Sequence, residues 1–212
     1  MFKSFVFLNV FLALFCLSSF GQGSRNEVLN PTYGDHIVRF YPLSVFETKG
    51  VGIAISYEML LTEEKKIGLH LPLYLMIGNG DSYAGQDREY RILNYYGYFA
   101  PGIKFYPSGQ KEITYAIGPS AFIGWGGGQE WRIDNQNFGT YRLMDKSLIQ
   151  LGMHVNNYLN FQITKSVNFG AELGLGVLYV ERYKYKADQI QDIYNNRVRL
   201  SVQLGFSFGY RF

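Results

Sequence analysis

The chain is poor in several things at once: one cysteine (Cys16), three histidines, six prolines, and 17% Asp, Glu, Lys and Arg across 212 residues, where about a quarter charged is usual. A single cysteine excludes a disulfide framework and a thiolate metal centre. His36, His70 and His154 stand on separate segments, so no metal-ligand spacing is present. Outside the first twenty residues no uncharged apolar run reaches the roughly 18 residues of a membrane helix, which excludes a helical membrane protein. The one Gly-x-Ser-x-Gly spelling, Gly205 to Gly209, lies within the alternating terminal stretch rather than on a strand-to-helix turn, so it is no nucleophile elbow. Residues 124–128 (Gly-Trp-Gly-Gly-Gly) lack the Lys and Ser/Thr of a phosphate loop, so they read as the start of a loop. What is abundant is Tyr (18), Phe (17) and Gly (24), at a formal charge of +3 and a mean hydropathy of -0.08. Such a composition excludes disorder, a coiled coil and a collagen-like chain. It leaves an all-β protein whose hydrophobicity is spread out rather than blocked.

The N-terminus opens Met1, Phe2, Lys3, continues apolar through residues 5–17, and places Ser19 and Gly21 at the minus-three and minus-one positions of a cleavage site before Gln22. This is the pattern of a secretory signal peptide, residues 1–21. Phe15 before Cys16 does not fit a lipoprotein site. Cleavage removes Lys3 and Cys16, leaving a cysteine-free chain with 19 basic and 17 acidic residues. Residues 22–34 then form a short periplasmic segment before a domain spanning residues 35–212.

At the other end Leu204, Phe206, Phe208, Tyr210 and Phe212 alternate with Gln203, Gly205, Ser207, Gly209 and Arg211. Period two means one strand with an aromatic face and a glycine-polar face. The same alternation recurs in Val51 to Met59, Ile67 to Ile77, Leu93 to Phe105, Ile113 to Trp125, Ile149 to Phe161 and Val167 to Tyr179. A less regular strand near residues 36–46, apolar on both parities, brings the count to eight, with Pro42 as a candidate bulge. Pro72, Pro101 and Pro119 also fall inside strands, where each removes a ladder hydrogen bond. Connections alternate between about five residues or fewer and, in three of four cases, about thirteen or more. The pattern predicts a transmembrane antiparallel up-and-down barrel with short periplasmic turns and long outer loops. A soluble barrel would turn the glycine-rich, weakly charged faces to water, contrary to the charge density that soluble surfaces carry.

An eight-stranded barrel is filled by side chains. The inward parity carries Glu58, His70, Lys104, Glu172, Arg197 and Arg199, and a turn centred near Glu64 sets Glu58 opposite His70. Such a pair could serve proton-linked chemistry, but the mixture of signs favours a buried polar network that fixes the barrel. In Arg182, Tyr183, Lys184, Tyr185, Lys186 the alternation is read as continuing past Tyr179. These basic residues suit contact with lipopolysaccharide phosphates, and nucleic acid is not expected as a partner.

The terminal motif ending in Phe212, the strand count and the loop asymmetry together resemble the small outer-membrane β-barrel family of the OmpX and OmpA transmembrane-domain kind, over residues 35–212. The resemblance implies an outer-membrane location, contact with outer-membrane lipid and lipopolysaccharide, and insertion by the barrel assembly machinery reading Leu204, Phe206, Phe208, Tyr210 and Phe212. It also implies a non-enzymatic role in structure, adhesion or surface interaction, here expected chiefly from the loop at residues 126–146 and some surface ligand. A lipid A deacylase or acyltransferase and a narrow pore are the alternatives. No catalytic, metal or cofactor-binding residue is assigned, and no cofactor is expected.

Overall fold

The computed structural model describes residues 33–46, 50–62, 64–79, 83–85, 88–90, 93–133, 141–186, 191–195 and 198–212. The leader and its cleavage site, and Arg197, lie outside the described residues. Twelve strands follow in chain order: β1 (His36–Phe46), β2 (Gly50–Leu60), β3 (Ile67–Asn79), β4 (Tyr83–Gly85), β5 (Arg88–Tyr90), β6 (Leu93–Phe99), β7 (Gly102–Phe105), β8 (Ile113–Ile133), β9 (Tyr141–Gln162), β10 (Val167–Lys186), β11 (Gln191–Asn195) and β12 (Arg199–Arg211).

Every pairing is antiparallel, and β12 pairs with both β10 and β1, so the sheet closes on itself without an edge. Strands β6 and β7 share one position in the wall, because both pair with β3 and with β8. The result is an all-β, closed antiparallel barrel of eight strand positions. The break between β6 and β7 falls at Ala100 and Pro101, where proline has no N–H for the ladder. Neighbouring carbonyls bridge it: Ala100 N donates to Pro72 O (3.2 Å) and Ala121 N to Pro101 O (3.0 Å). Pro72 and Pro119 are instead carried inside β3 and β8 without a register shift, opposite Ser56 and Val155.

Tyr33, where the described residues begin, Phe212 and the three short turns share one end of the barrel. Lys65 and Gly109 hold left-handed φ values of 53° and 66° in two of those turns, and the Lys65 ammonium bonds Asp35 at 2.8 Å, which holds that carboxyl below its ordinary range. At the opposite end the barrel wall rises into an extension. Residues 126–146, expected as a loop, are strand up to Ile133 and again from Tyr141. Likewise β10 runs on to Lys186 and β11 pairs with it from Glu181 to Tyr185. Cross-strand pairing such as Trp131 with Leu143 continues well above the rest of the wall, so the long connections are chiefly hairpins. β4 and β5 form a separate two-stranded hairpin.

Alternation decides which side chains face in. Along β12, Gln203, Gly205, Ser207, Gly209 and Arg211 are buried while Leu204, Phe206, Phe208, Tyr210 and Phe212 are exposed. The same holds around the wall: Ile53, Leu75, Tyr95, Trp125, Ile149 and Met153 are among the exposed apolar side chains, and most of the buried set is polar or aromatic. Water as the only solvent would make this outer surface costly, at about 25 cal/mol per Å² of apolar area. A hydrocarbon surround removes that cost.

Two bulges modify the pattern. In β1 the register shifts between Phe40 and Leu43 against β12, and between Tyr41 and Ser44 against β2. Pro42 sits within it, so Ile37, Arg39 and Tyr41 face in before the bulge and Ser44 and Phe46 after it. In β10 Leu178 pairs with Gly152 and Val180 with Leu151, leaving Tyr179 as the extra residue. The alternation of β10 therefore does not continue unbroken past Tyr179. It flips by one, so that Glu181 and Tyr185 turn inward and Arg182 and Lys184 outward.

Glycines on the inner wall make room for rings. A Cβ on Gly124 would stand 2.4 Å from Tyr98 Cε1, closer than any packing tolerates. Gly124→Val is expected to cost about 1–3 kcal/mol by overpacking, read as a lowered urea midpoint for the barrel refolded in vesicles.

Candidate functional site

The interior is built in layers. Nearest the chain ends, Arg211 donates from Nε to Gly34 O at 2.7 Å and lies over the Tyr33 ring, 5.0 Å from its centroid. Above this, Glu58 is fully buried and accepts from Arg39 Nη1, from Lys104 Nζ at 2.7 Å and from Tyr106 OH. His70 stands beside the cluster, its Nε2 3.3 Å from Tyr41 OH and its Nδ1 3.5 Å from Tyr158 OH. Lys104 also sits over the Tyr158 ring at 4.1 Å. Gln203 donates from Nε2 to Glu172 Oε1 (3.0 Å) and to Tyr74 OH (2.6 Å).

The next layer is aromatic. Phe46 stacks on Tyr98 with centroids 4.6 Å apart, meets Tyr74 edge-on at 5.3 Å, and lies 6.3 Å from Phe122. His154 stacks on Phe122 at 4.6 Å and lies 5.9 Å from the Phe46 ring. Toward the extension, Gln150 accepts from Tyr98 OH and donates to Glu181, each at 2.8 Å. Arg199 Nη1 bonds Glu181 Oε2 at 2.9 Å, and Lys146 bonds Glu130 at 2.5 Å.

Of the lumen residues expected from sequence, Glu58, His70, Lys104 and Glu172 are buried and close to one another. Arg199 shares their inward side but sits at the mouth, about half exposed (48%). Arg39, Tyr106, Gln203 and Glu181 were missed. Arg39 was hidden by the β1 bulge, and Glu181 by the β10 bulge. Arg182 and Lys184 are exposed on the outer face of β10, each beside a β9 residue of the same face, Ile149 and Ser147. The backbone of Lys186 continues this strand, and its side chain lies outside the described residues. The outer wall also carries an apolar groove of about 530 Å³ between Ile53, Leu75, Ile77, Tyr95, Gly97 and Trp125.

One pair has the chemical types of a nucleophile and its base: His154 Nε2 and Ser201 Oγ, 2.9 Å apart. Both are buried, and no acidic group orients the Nδ1 side of the ring. Phe122 covers one face of the imidazole. The pair is packed as a lumen filler rather than presented to a substrate.

No protein-family model and no curated protein sequence matches the chain. Among solved structures, a major outer membrane protein from Thermus thermophilus superposes with a TM-score of 0.60 at 12% identity, covering 84% of this chain and 98% of that one. The chain has the fold of a small outer-membrane β-barrel. Looser matches include Ail, the attachment invasion locus protein of Yersinia pestis (TM-score 0.45, 12% identity, 85% of this chain and 100% of that one), and Neisserial surface protein A (TM-score 0.45, 9% identity, 84% and 95%). At these identities the likeness extends to the barrel and to nothing finer.

Proposed function

We propose that this barrel resides in the bacterial outer membrane as a non-enzymatic surface protein, inserted through its terminal strand, with the extension facing outward and both chain ends in the periplasm. The observation that carries the reading is the inside-out distribution: an ionic and aromatic interior within a wall of exposed apolar residues. The short turns grouped with the chain ends support the orientation. The outward aromatic row of Leu204, Phe206, Phe208, Tyr210 and Phe212 is the segment that the assembly machinery would read.

Arg182 and Lys184 stand on the outer face where the apolar wall gives way to the extension, and lipopolysaccharide phosphate is the partner their chemistry fits. A phosphate group there meets two cations with little desolvation cost. Replacing both with Glu is expected to weaken binding of purified lipopolysaccharide by on the order of tenfold or more, at about 1 kcal/mol per charge, and leave binding to dephosphorylated lipopolysaccharide unchanged. Equal weakening on both ligands would remove the phosphate contact from the reading.

A transport role does not suit the layers of the interior, where Phe46, Tyr98 and Phe122 pack ring against ring across the lumen. An enzymatic role would leave its product in lipid A. The mass spectrum of lipid A from a deletion strain is expected to match that of the parent; a lost or gained acyl chain would overturn the non-enzymatic reading.

A further inference from the structure

The unpaired polar atoms of the lumen are sorted by kind. Near the chain ends four donors, Arg39 Nε, Asn160 Nδ2, Asn168 Nδ2 and Arg211 Nη2, have no partner, against one carbonyl oxygen, Asn168 Oδ1. All four side chains are at least nine-tenths buried. Farther in they are acceptors, among them Glu172 Oε2, Gln203 Oε1 and Asn156 Oδ1. The donors belong to one patch of wall. Gly209 of β12 lies between Arg39 on β1 and Asn168 on β10, directly paired with each. Arg39 Nη2 reaches Asn160 Oδ1 at 3.4 Å, and Arg211 follows Gly209 by two residues on the same inward face.

Glycine opens this patch. A Cβ on Gly209 would stand 2.3 Å from Asn168 Oδ1 and 2.9 Å from its Nδ2, so the Asn168 amide occupies space that any other residue would fill. The charges lean the same way. Among the buried side chains, Arg39, Lys104 and Arg211 are enclosed against the carboxylates Glu58 and Glu172, an excess of one cation, while the Phe212 main-chain carboxyl lies at the rim beside Gly34 and His36. Asp35 lies at the rim, more than half exposed and paired with Lys65. A guanidinium left uncompensated in a low-dielectric interior is costly. Water would accept the hydrogen bonds and leave the charge, whereas an anion answers both.

We infer that Arg39, Asn160, Asn168 and Arg211 form a binding site for one small monovalent anion, of halide size, inside the end of the barrel that holds the chain termini. Side chains fill the surrounding lumen, which favours chloride over phosphate or sulfate. The site fixes β1, β9, β10 and β12 to one another across the closing seam and makes the stability of the barrel depend on halide.

Crystals of the full mature barrel soaked in bromide, together with thermal unfolding in chloride and in gluconate at equal ionic strength, test this. The expected result is one anomalous bromide peak within hydrogen-bond distance of Arg39 and Asn168, and a midpoint about 2–4 °C higher in chloride. Asn168 takes no part in the Glu58 cluster, so Asn168→Ala should fold and lose the halide shift. Gly209→Ala should do the same by displacing the Asn168 amide. A water at the position with no bromide peak would overturn the site, as would a halide shift that survives unchanged in Asn168→Ala.

Discussion

Glu58→Gln should lower the stability of the barrel by about 3–5 kcal/mol, the largest effect expected of any single conservative change in the lumen. Its carboxylate is fully buried and meets Arg39, Lys104 and Tyr106 at once. The amide keeps the shape and removes the charge, leaving two buried cations facing only Glu172. The cost is therefore one of unpaired charge rather than of lost volume. Equilibrium urea unfolding from lipid vesicles measures it. Lys104→Met added to Glu58→Gln should recover part of the loss, because one of the stranded cations is gone. A loss under about 1 kcal/mol would mean that water reaches the cluster and that the lumen is wet at this level.

The second large effect lies on the opposite face. Phe206 is near the middle of β12 and is 46% exposed, so in water a polar replacement would be almost neutral, within about 0.5 kcal/mol. In a bilayer the same position faces hydrocarbon. Phe206→Arg is then expected to cost about 2–4 kcal/mol in vesicle-embedded protein. Replacing Lys66, in the exposed turn between β2 and β3, with Glu should change stability little. The contrast separates lipid from water as the solvent of the outer wall, because side-chain exposure alone would rank the two positions alike.

The barrel was legible in the sequence wherever the side-chain period of two ran unbroken. β12 is the clearest case: Leu204 to Phe212 named its own outer face, and Gln203 to Arg211 its inner one. Legibility failed where one extra residue entered the count. In β1 the bulge around Pro42 puts Arg39 and Phe46 on the same inward side although they stand seven positions apart, a spacing that strict alternation sends to opposite faces. Arg39, a partner of Glu58, could not be assigned for that reason. In β10 the extra residue at Tyr179 reversed the sides of Glu181 and Arg182. The reversal placed Arg182 and Lys184 outward and supplied Arg199 with its partner Glu181.

The prolines behaved differently from one another for a similar reason. Pro101 splits a strand while Pro72 and Pro119 do not, since what matters is whether the missing N–H faces a ladder partner, and the sequence does not carry that phase. The extension was missed because glycines at residues 126–128 read as loop. In the barrel they lie where strands cross close together: a Cβ on Gly126 would be 2.3 Å from Tyr95 O. Glu58, His70, Lys104 and Glu172 were found together because each sits on an uninterrupted stretch of alternation, whereas Tyr106 and Gln203 were passed over for carrying no charge. The His154 and Ser201 pair meets over Gly176 of β10, which is paired with each of them, and no local pattern records that meeting.

Single cysteines placed one at a time along β12, in the chain with Cys16 replaced by Ser, give the most direct test of an inside-out barrel in a membrane. Each is labelled with an environment-sensitive fluorophore and reconstituted with lipids carrying a nitroxide quencher on the acyl chain. Labels at positions 204, 206, 208 and 210 should be quenched, and labels at 203, 205, 207 and 209 should be spared. Equal quenching at both parities, or none at either, would contradict a lipid-embedded barrel with a filled polar lumen.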